Sequence, residues 1–314
     1  LQQVDEVPEF ITFEETFESY WVSEIENLGA QTLQDDFPAG DREIKFVVVC
    51  LIWYFSVMRA EIGFVHRDLH MANLMWRDLP KPVTIAFNQT LFFTQITRVP
   101  VVIDFDFSLT HTTPDEDRGI FHGAPRVASV EDLFAAFDEI DPKVSEATDW
   151  HAIGCLFATC IYGGGQWSSL KCINYAAHAR YRDNIPESLD RKSYFVKTAI
   201  DVIPALCILN HTLGNETFPP PHLYERKDYY EAFFSPKQRL IIQEVIDEGD
   251  STFVLNNINT RYLLRRMLSW DPQERIMYGE TIKYLDFAYF NSARFKTSAD
   301  ISLTYDFRKN KDTV

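Results

Sequence analysis

The chain has 314 residues and carries 30 Lys and Arg against 46 Asp and Glu, a formal charge of −16, with 46% hydrophobic and 14% aromatic residues. That apolar content supports a substantial buried core and excludes extended disorder. The acidic balance disfavours direct binding to nucleic acid or to an anionic membrane, since both need a net basic surface, and it is compatible with a basic peptide substrate.

Residues 10–13 and 20–25 read as two short strands joined by an acidic turn, followed by a polar connector. From Phe46 to Met58 the chain is almost continuously apolar, but a membrane-spanning helix needs about 20 such residues. Ile44, Val47, Val48, Leu51, Ile52 and Phe55 recur at helical spacing, and the opposite face is apolar too, which predicts a buried core helix over 42–60. Gly40-Asp41 supplies its start. A loop follows over 64–76. Residues 83–107 are rich in Val, Ile, Thr and Phe, with Pro82 and Pro100 as punctuation, and predict a β-hairpin arm leading into a strand that carries Asp104. Residues 108–131 read as a polar loop. Its Thr110, Thr112 and Thr113 are either part of a solvated acidic surface, the preferred reading, or phosphorylation sites facing Arg67. A helix over 150–162 ends at Gly163-Gly164-Gly165. Mixed short helices fill 163–235, including one over 194–209, and further helices are expected over 236–248, 259–269 and 277–287.

The five cysteines, Cys50, Cys155, Cys160, Cys172 and Cys207, form no C-x-x-C pair. Free, mostly buried thiols in a reducing compartment are expected. Glycosylation sequons at Asn88, Asn210 and Asn215 are read as chance matches.

The chemistry concentrates in two stretches. His66-Arg67-Asp68-Leu69-His70-Met71-Ala72-Asn73 places an Asp and an Asn on the loop after the apolar helix, and Val102-Ile103-Asp104-Phe105-Asp106 places another Asp after a β-branched run. Phosphoryl transfer from a nucleotide needs such a set: one carboxylate to orient the acceptor hydroxyl, and an amide and a carboxylate to hold Mg²⁺ on the phosphates. The pattern H-R-D-L-x-x-x-N with D-F-x resembles the catalytic and metal-binding loops of eukaryotic protein kinases. Asp149-Trp150-His151-Ala152-Ile153-Gly154 is similar to the D-x-W-S-x-G helix start of that family, and Trp270-Asp271-Pro272-Gln273-Glu274-Arg275 to its late D-P-x-x-R motif. Gly123-Ala124-Pro125-Arg126 looks like its G-T-P-x run. The likeness extends from about residue 10 to about residue 290.

The resemblance implies an α+β, protein-kinase-like fold: a remnant of the β-rich small lobe and hinge over 1–27, a mainly helical catalytic lobe over 28–292, and a C-terminal tail over 293–314. It implies that Asp68 orients or accepts the proton of the substrate hydroxyl, that Asn73 and Asp104 hold Mg²⁺, and that Arg67 faces the activation segment. His66 and His70 complete the catalytic loop. The carbonyl of Glu24 and the amide of Glu26 would meet the adenine of ATP, with Met75 beneath it. Asp149 would brace the catalytic loop through the His66 and Arg67 amides, and Arg275 would pair with Glu131, although no Ala-Pro-Glu is present. His70 replaces the usual lysine, which is similar to the haspin group. The gap between Asn73 and Asp104 is also long, consistent with an inserted hairpin. No glycine-rich loop precedes the strand pair, and the first lysine is Lys45. The expected function is an ATP-dependent protein serine/threonine kinase in the cytoplasm or nucleus. The alternatives are an inactive pseudokinase scaffold and a small-molecule kinase of the aminoglycoside or choline type.

Overall fold

The computed structural model describes residues 31–38, 40–82, 84–87, 90–93, 96–114, 123–138, 146–162, 175–189, 193–248, 257–275 and 291–294. These form a mixed α+β structure that is mostly helical. The helices are α1 (Gly40–Ile62), α2 (Val130–Phe137), α3 (Glu146–Tyr162), α4 (Tyr175–Asp183), α5 (Tyr194–Leu213), α6 (Lys227–Phe234), α7 (Pro236–Asp247) and α8 (Ile258–Met267). The strands are β1 (Leu74–Asp78), β2 (Thr84–Phe87), β3 (Thr90–Phe93), β4 (Arg98–Val102) and β5 (Asn291–Arg294).

Local chemistry sets the helix ends. Ser129 caps α2 by accepting the Asp132 amide, Ser235 caps α7 with Pro236 in its first turn, and Asn257 accepts the Asn259 and Thr260 amides of α8. Each cap satisfies N–H groups that the first helical turn leaves without partners. α5 closes on Gly214, whose φ of 84° is left-handed and needs glycine.

α5 is the centre of the body. Ile203, Leu206, Cys207, Ile208 and Leu209 are each 0% exposed, and α2, α7 and α8 pack around the helix. By length and composition α5 could cross a membrane, but 78% of its apolar window is buried inside the protein. It is a core helix, apolar all round because neighbours surround it. α1 packs on α3, and α3 on α8. The α3–α8 approach is close because Gly154 has no side chain: a Cβ there would lie 2.8 Å from Met267 Cβ and 3.0 Å from Leu268 Cδ2. Gly154→Ala gains up to about 1 kcal/mol of helix propensity. It also forces two helix backbones apart, an overpacking cost of about 1–3 kcal/mol. The second term wins, because Met267 Cβ cannot swing away without its backbone. A lowered midpoint of thermal unfolding is expected, larger for Gly154→Val.

β1 and β4 form an antiparallel pair with Leu74 opposite Val102 and Asp78 opposite Arg98. β2, β3 and β5 form a second antiparallel sheet in that order. The arm expected over 83–107 is therefore longer at its base, since β1 belongs to it. β4 ends at Val102, so Asp104 lies past the strand rather than on it. The helices expected over 42–60, 150–162, 194–209, 236–248 and 259–269 are present, with ends shifted by up to four residues. α4 lies in the stretch expected to hold mixed short helices. α2 begins just inside the expected 108–131 loop, with Ser129 as its cap. β5 crosses the expected boundary at residue 293. The strands expected over 10–13 and 20–25 and the helix over 277–287 lie outside the described residues.

Cys50, Cys155, Cys160 and Cys207 are free. Burial raises all four thiols, Cys160 to about 12, which leaves them chemically inert at neutral pH. Asn210 is 0% exposed and donates to Leu206 O at 3.1 Å. The Asn215 amide donates to Asn210 Oδ1 at 2.6 Å and to Arg265 O at 2.8 Å. Both sequon side chains are thus engaged in helix-end packing.

Candidate active site

The site begins where α1 stops. Gly63 turns left-handed at φ 66° and donates to Arg59 O at 2.9 Å, and the Arg59 guanidinium returns a bond to Gly63 O at 2.8 Å. Val65 then pairs with Leu109 through two backbone bonds of 2.9 and 2.8 Å. This sets the loop that carries Asp68 beside the segment that follows Asp104.

Asp149, on the first turns of α3, holds the next two residues. Its Oδ2 accepts the His66 amide at 2.8 Å and its Oδ1 accepts the Arg67 amide at 3.1 Å. The bracing contact expected from the motif is present. Burial pushes the Asp149 carboxyl up to about 7, against the pull of these two amides and of Arg59. Arg67 sits at φ 71° and Asp104 at φ 62°, the non-glycine residues with left-handed φ among those described. A left-handed non-glycine residue costs about 1–3 kcal/mol and persists only where its surroundings over-determine it. At Arg67 the Asp149 clamp supplies that restraint.

Asp149→Ala leaves two buried N–H groups without acceptors, at about 1–3 kcal/mol each, and relieves the cost of burying a carboxylate. A net loss of about 2–4 kcal/mol in unfolding free energy is expected. Amide exchange at His66 and Arg67 should rise more than exchange in α5. Stability within about 0.5 kcal/mol of the parent would show that the clamp is not what holds the loop.

His66 is 0% exposed. Its Nδ1 accepts the Asp68 amide at 3.3 Å, so the ring proton is on Nε2, which donates to Ile103 O at 3.3 Å. Burial lowers its pKa, while that carbonyl and the charges of Asp68 and Asp104 oppose the shift. Its ring packs on Phe55, Phe64 and Phe105, with centroids 5.6–6.0 Å away. The histidine therefore ties the Asp68 loop to the Asp104 segment through one hydrogen bond and one tilted ring contact.

Asp68 is 9% exposed. Its Oδ1 accepts the Ala124 amide at 2.6 Å, and its Oδ2 accepts Asn73 Nδ2 at 3.2 Å and lies 3.6 Å from His70 Nε2. His70 Nδ1 accepts the Ala72 amide at 3.2 Å, which leaves the ring proton on Nε2, facing Asp68. Asn73 Nδ2 also donates to Asp68 O at 3.0 Å. Two acceptors fix the orientation of the Asn73 amide, because only its NH₂ can donate to both. Its carbonyl oxygen is the side-chain atom that could then serve as a metal donor. Asn73 O accepts the Ile103 amide at 3.0 Å, which extends the β1–β4 ladder by one step and brings Asp104 next to this loop.

Among the described residues no group of three or more His, Cys, Asp and Glu could hold a metal ion. The donors present are the Asn73 carbonyl and the exposed Asp104 and Asp106 carboxylates. A few protein oxygens, completed by phosphate and water, fit Mg²⁺ better than a closed protein cage would. Met75 is half-buried on β1, opposite Val101 and bridged to Thr32. Glu24 and Glu26 lie outside the described residues. Thr110, Thr112 and Thr113 bond to one another in a turn, with Thr110 Oγ1 3.0 Å from Thr112 Oγ1.

A buried polar cluster underlies the site. Arg275 Nη1 donates to Glu131 Oε1 at 2.5 Å, the ion pair expected from the motifs, and its Nε donates to Ser269 O at 3.0 Å. Burial alone would raise the Glu131 carboxyl, but the Arg275 guanidinium outweighs it and holds the group below its ordinary value. Beside it, burial and the Glu131 charge push Asp132 up to about 6, while Ser129 Oγ donates to it at 2.6 Å. Burial, reinforced by Arg275, lowers His151 to about 4. His151 is neutral at physiological pH, and its Nδ1 lies 3.1 Å from Val127 O. Sequence reasoning named Glu131 and Arg275 but missed Asp132, His151 and the Ala124 amide. No sequence pattern marks a backbone amide as a partner of a distant carboxylate.

No protein-family model matches the chain, and a search of curated proteins finds no match.

Proposed function

We propose that this chain is the catalytic lobe of a divergent, ATP-dependent protein kinase that transfers a γ-phosphoryl group to serine or threonine hydroxyls. The observation that carries the reading is the junction of Asp68, Asn73 and Ile103-Asp104. One carboxylate is held by Ala124 and Asn73, and the Asn73 backbone is bonded to the residue preceding Asp104. Asp68 orients the acceptor hydroxyl and takes its proton. Asn73 and Asp104 are the residues that would hold Mg²⁺, which when bound neutralises phosphate charge. Asp149 and His66 keep the loop in its strained shape. The stretches Trp150 to Gly154 and Asp271 to Arg275, which resemble protein-kinase motifs, favour a protein kinase over a small-molecule kinase, and the Glu131–Arg275 ion pair is consistent with them. The proposed substrate is a protein with basic character, in the cytoplasm or nucleus.

A second reading, an inactive scaffold, draws support from Lys45. This first lysine of the chain is 7% exposed on α1, so it does not lie on a strand over the phosphates. The test is phosphotransfer from ATP to basic Ser/Thr peptides by residues 1–314, by a chain extended with whatever sequence its transcript encodes upstream of Leu1, and by Asp68→Asn in each. Transfer that depends on Asp68 supports the kinase reading. Transfer unaffected by that substitution overturns it.

A further inference from the structure

The Ala124 amide that donates to Asp68 belongs to a turn with an anchor of its own. Val127 N donates to Ala124 O at 3.1 Å, which closes the turn over residues 124–127. Gly123 and Pro125 are buried, and Ser129 ends the segment as the cap of α2. Between these points the Val127 carbonyl meets His151. The ring Nδ1 lies 3.1 Å from Val127 O, and since a carbonyl only accepts, Nδ1 carries the proton. Cys155 Sγ lies 3.5 Å from the same nitrogen. Burial, reinforced by Arg275, keeps the ring neutral against the opposing charge of Glu131. Its one N–H is therefore committed to the turn.

His151 stands two residues after Asp149 on α3. Two residues turn a helix by about 200°, so the two side chains leave opposite sides of it. Asp149 takes the amides of His66 and Arg67, the two residues before Asp68. His151 takes the turn that reaches Asp68 from the other direction. α3 packs on α1 and, at Gly154, closely on α8, so both contacts start from a fixed base. Asp68 thus lies in a closed ring of hydrogen bonds that begins and ends on the first turns of α3. The Asp149 half places the backbone before Asp68. The His151 half acts on the carboxylate itself, whose Oδ1 accepts the Ala124 amide at 2.6 Å.

We propose that His151 is a positioning residue for Asp68: its Nδ1–H holds the 124–127 turn, whose amide aims the carboxylate at the acceptor hydroxyl. The effect on rate rests on the phosphotransfer reading, whereas the effect on the turn does not. A misplacement of about 1 Å at a reacting group can cost about 10²-fold in rate.

The experiment uses the chain extended upstream of Leu1, with His151→Leu, His151→Asn and Ala124→Pro. Leucine fills the buried position without an N–H. The asparagine amide nitrogen is as many bonds from Cβ as Nδ1 and donates in its place. Proline at 124 removes the donor to Asp68, and the residue before Pro125 is already biased to the extended backbone that proline accepts. His151→Leu should speed hydrogen exchange at the Ala124 amide at least about tenfold, with α5 unchanged, and His151→Asn should not. If α5 exchange rises as well, His151→Met, which packs more adaptably, takes the place of leucine. In single-turnover transfer His151→Leu should lose about 10–100-fold and His151→Asn less than about threefold. Ala124→Pro should lose about as much as His151→Leu, and the double variant no more than either, because both act through one contact. Unchanged exchange at Ala124 in His151→Leu overturns the proposal, as do equal losses in the leucine and asparagine variants or additive losses in the double variant. A parent without Asp68-dependent transfer overturns the phosphotransfer reading instead, and exchange at Ala124 then decides whether His151 holds the turn.

Discussion

In the chain extended upstream of Leu1, Asp68→Asn is expected to lower phosphotransfer by about 10²–10⁴, the usual contribution of a positioned acid–base group. The fold should survive, because an amide oxygen can still accept the Ala124 N–H that Asp68 Oδ1 accepts at 2.6 Å. The other half of the new amide is the problem. Its NH₂ would face Asn73 Nδ2, which donates to Asp68 Oδ2 at 3.2 Å, and two donors cannot share that contact. Asn73 must turn its amide over, and the carbonyl oxygen proposed for Mg²⁺ then turns with it. The substitution should therefore also weaken the Mg²⁺ dependence of nucleotide binding, which Asp68→Ala should leave closer to the parent. Residues 1–314 alone are expected to stay near background. They contain no lysine before the buried Lys45, and each missing phosphate donor is worth about 10²–10³ in rate. Single-turnover assays and nucleotide binding with and without Mg²⁺, on the extended chain, its Asp68→Asn and Asp68→Ala variants, and residues 1–314, read all three expectations. Robust transfer by the short chain would overturn the last of them.

Arg275→Ala should cost about 3 kcal/mol of unfolding free energy at neutral pH, measured by denaturant titration. Removing one partner of a buried ion pair typically costs about 3–5 kcal/mol, because the other charge is left behind. The lower end applies here, since the Glu131 side chain is 27% exposed and can recruit water. The pH dependence carries the sign. In the parent, Arg275 holds the Glu131 carboxyl below its ordinary value, so this contribution is present above about pH 4.5 and is lost as pH falls through the folded value. In the variant, Glu131 and the neighbouring Asp132 lack their counter-charge, both titrate higher, and protonation relieves them. The deficit should therefore be largest near pH 7–8 and shrink towards pH 4. Glu131→Gln combined with Arg275→Met should recover part of the loss at pH 7. A deficit that grows in acid would show that the Glu131 charge is not what the arginine balances.

Much of this protein is legible in its residues. The apolar run before His66 could only be a core helix, because it is too short for a membrane and apolar on every face. The long periodic segments that became α3, α5, α7 and α8 were visible for the same reason: burial writes itself into composition at helical spacing. The spacing of Asp68 and Asn73 also determined their encounter, since a short loop turning into a 3₁₀ step brings residues five apart into hydrogen-bond reach. Tertiary structure alone decided the rest. The left-handed backbone at Arg67 defies local preference and persists because Asp149, distant in the chain, holds the His66 and Arg67 amides. The Ala124 amide meets Asp68 across 56 positions of chain, and a main-chain donor has no residue type to announce it. β5 is the extreme case: Asn-Ser-Ala-Arg has no strand propensity of its own. It is a strand because its backbone pairs antiparallel with β3, Thr90 opposite Arg294 and Phe93 opposite Asn291, a partnership between segments far apart in the chain.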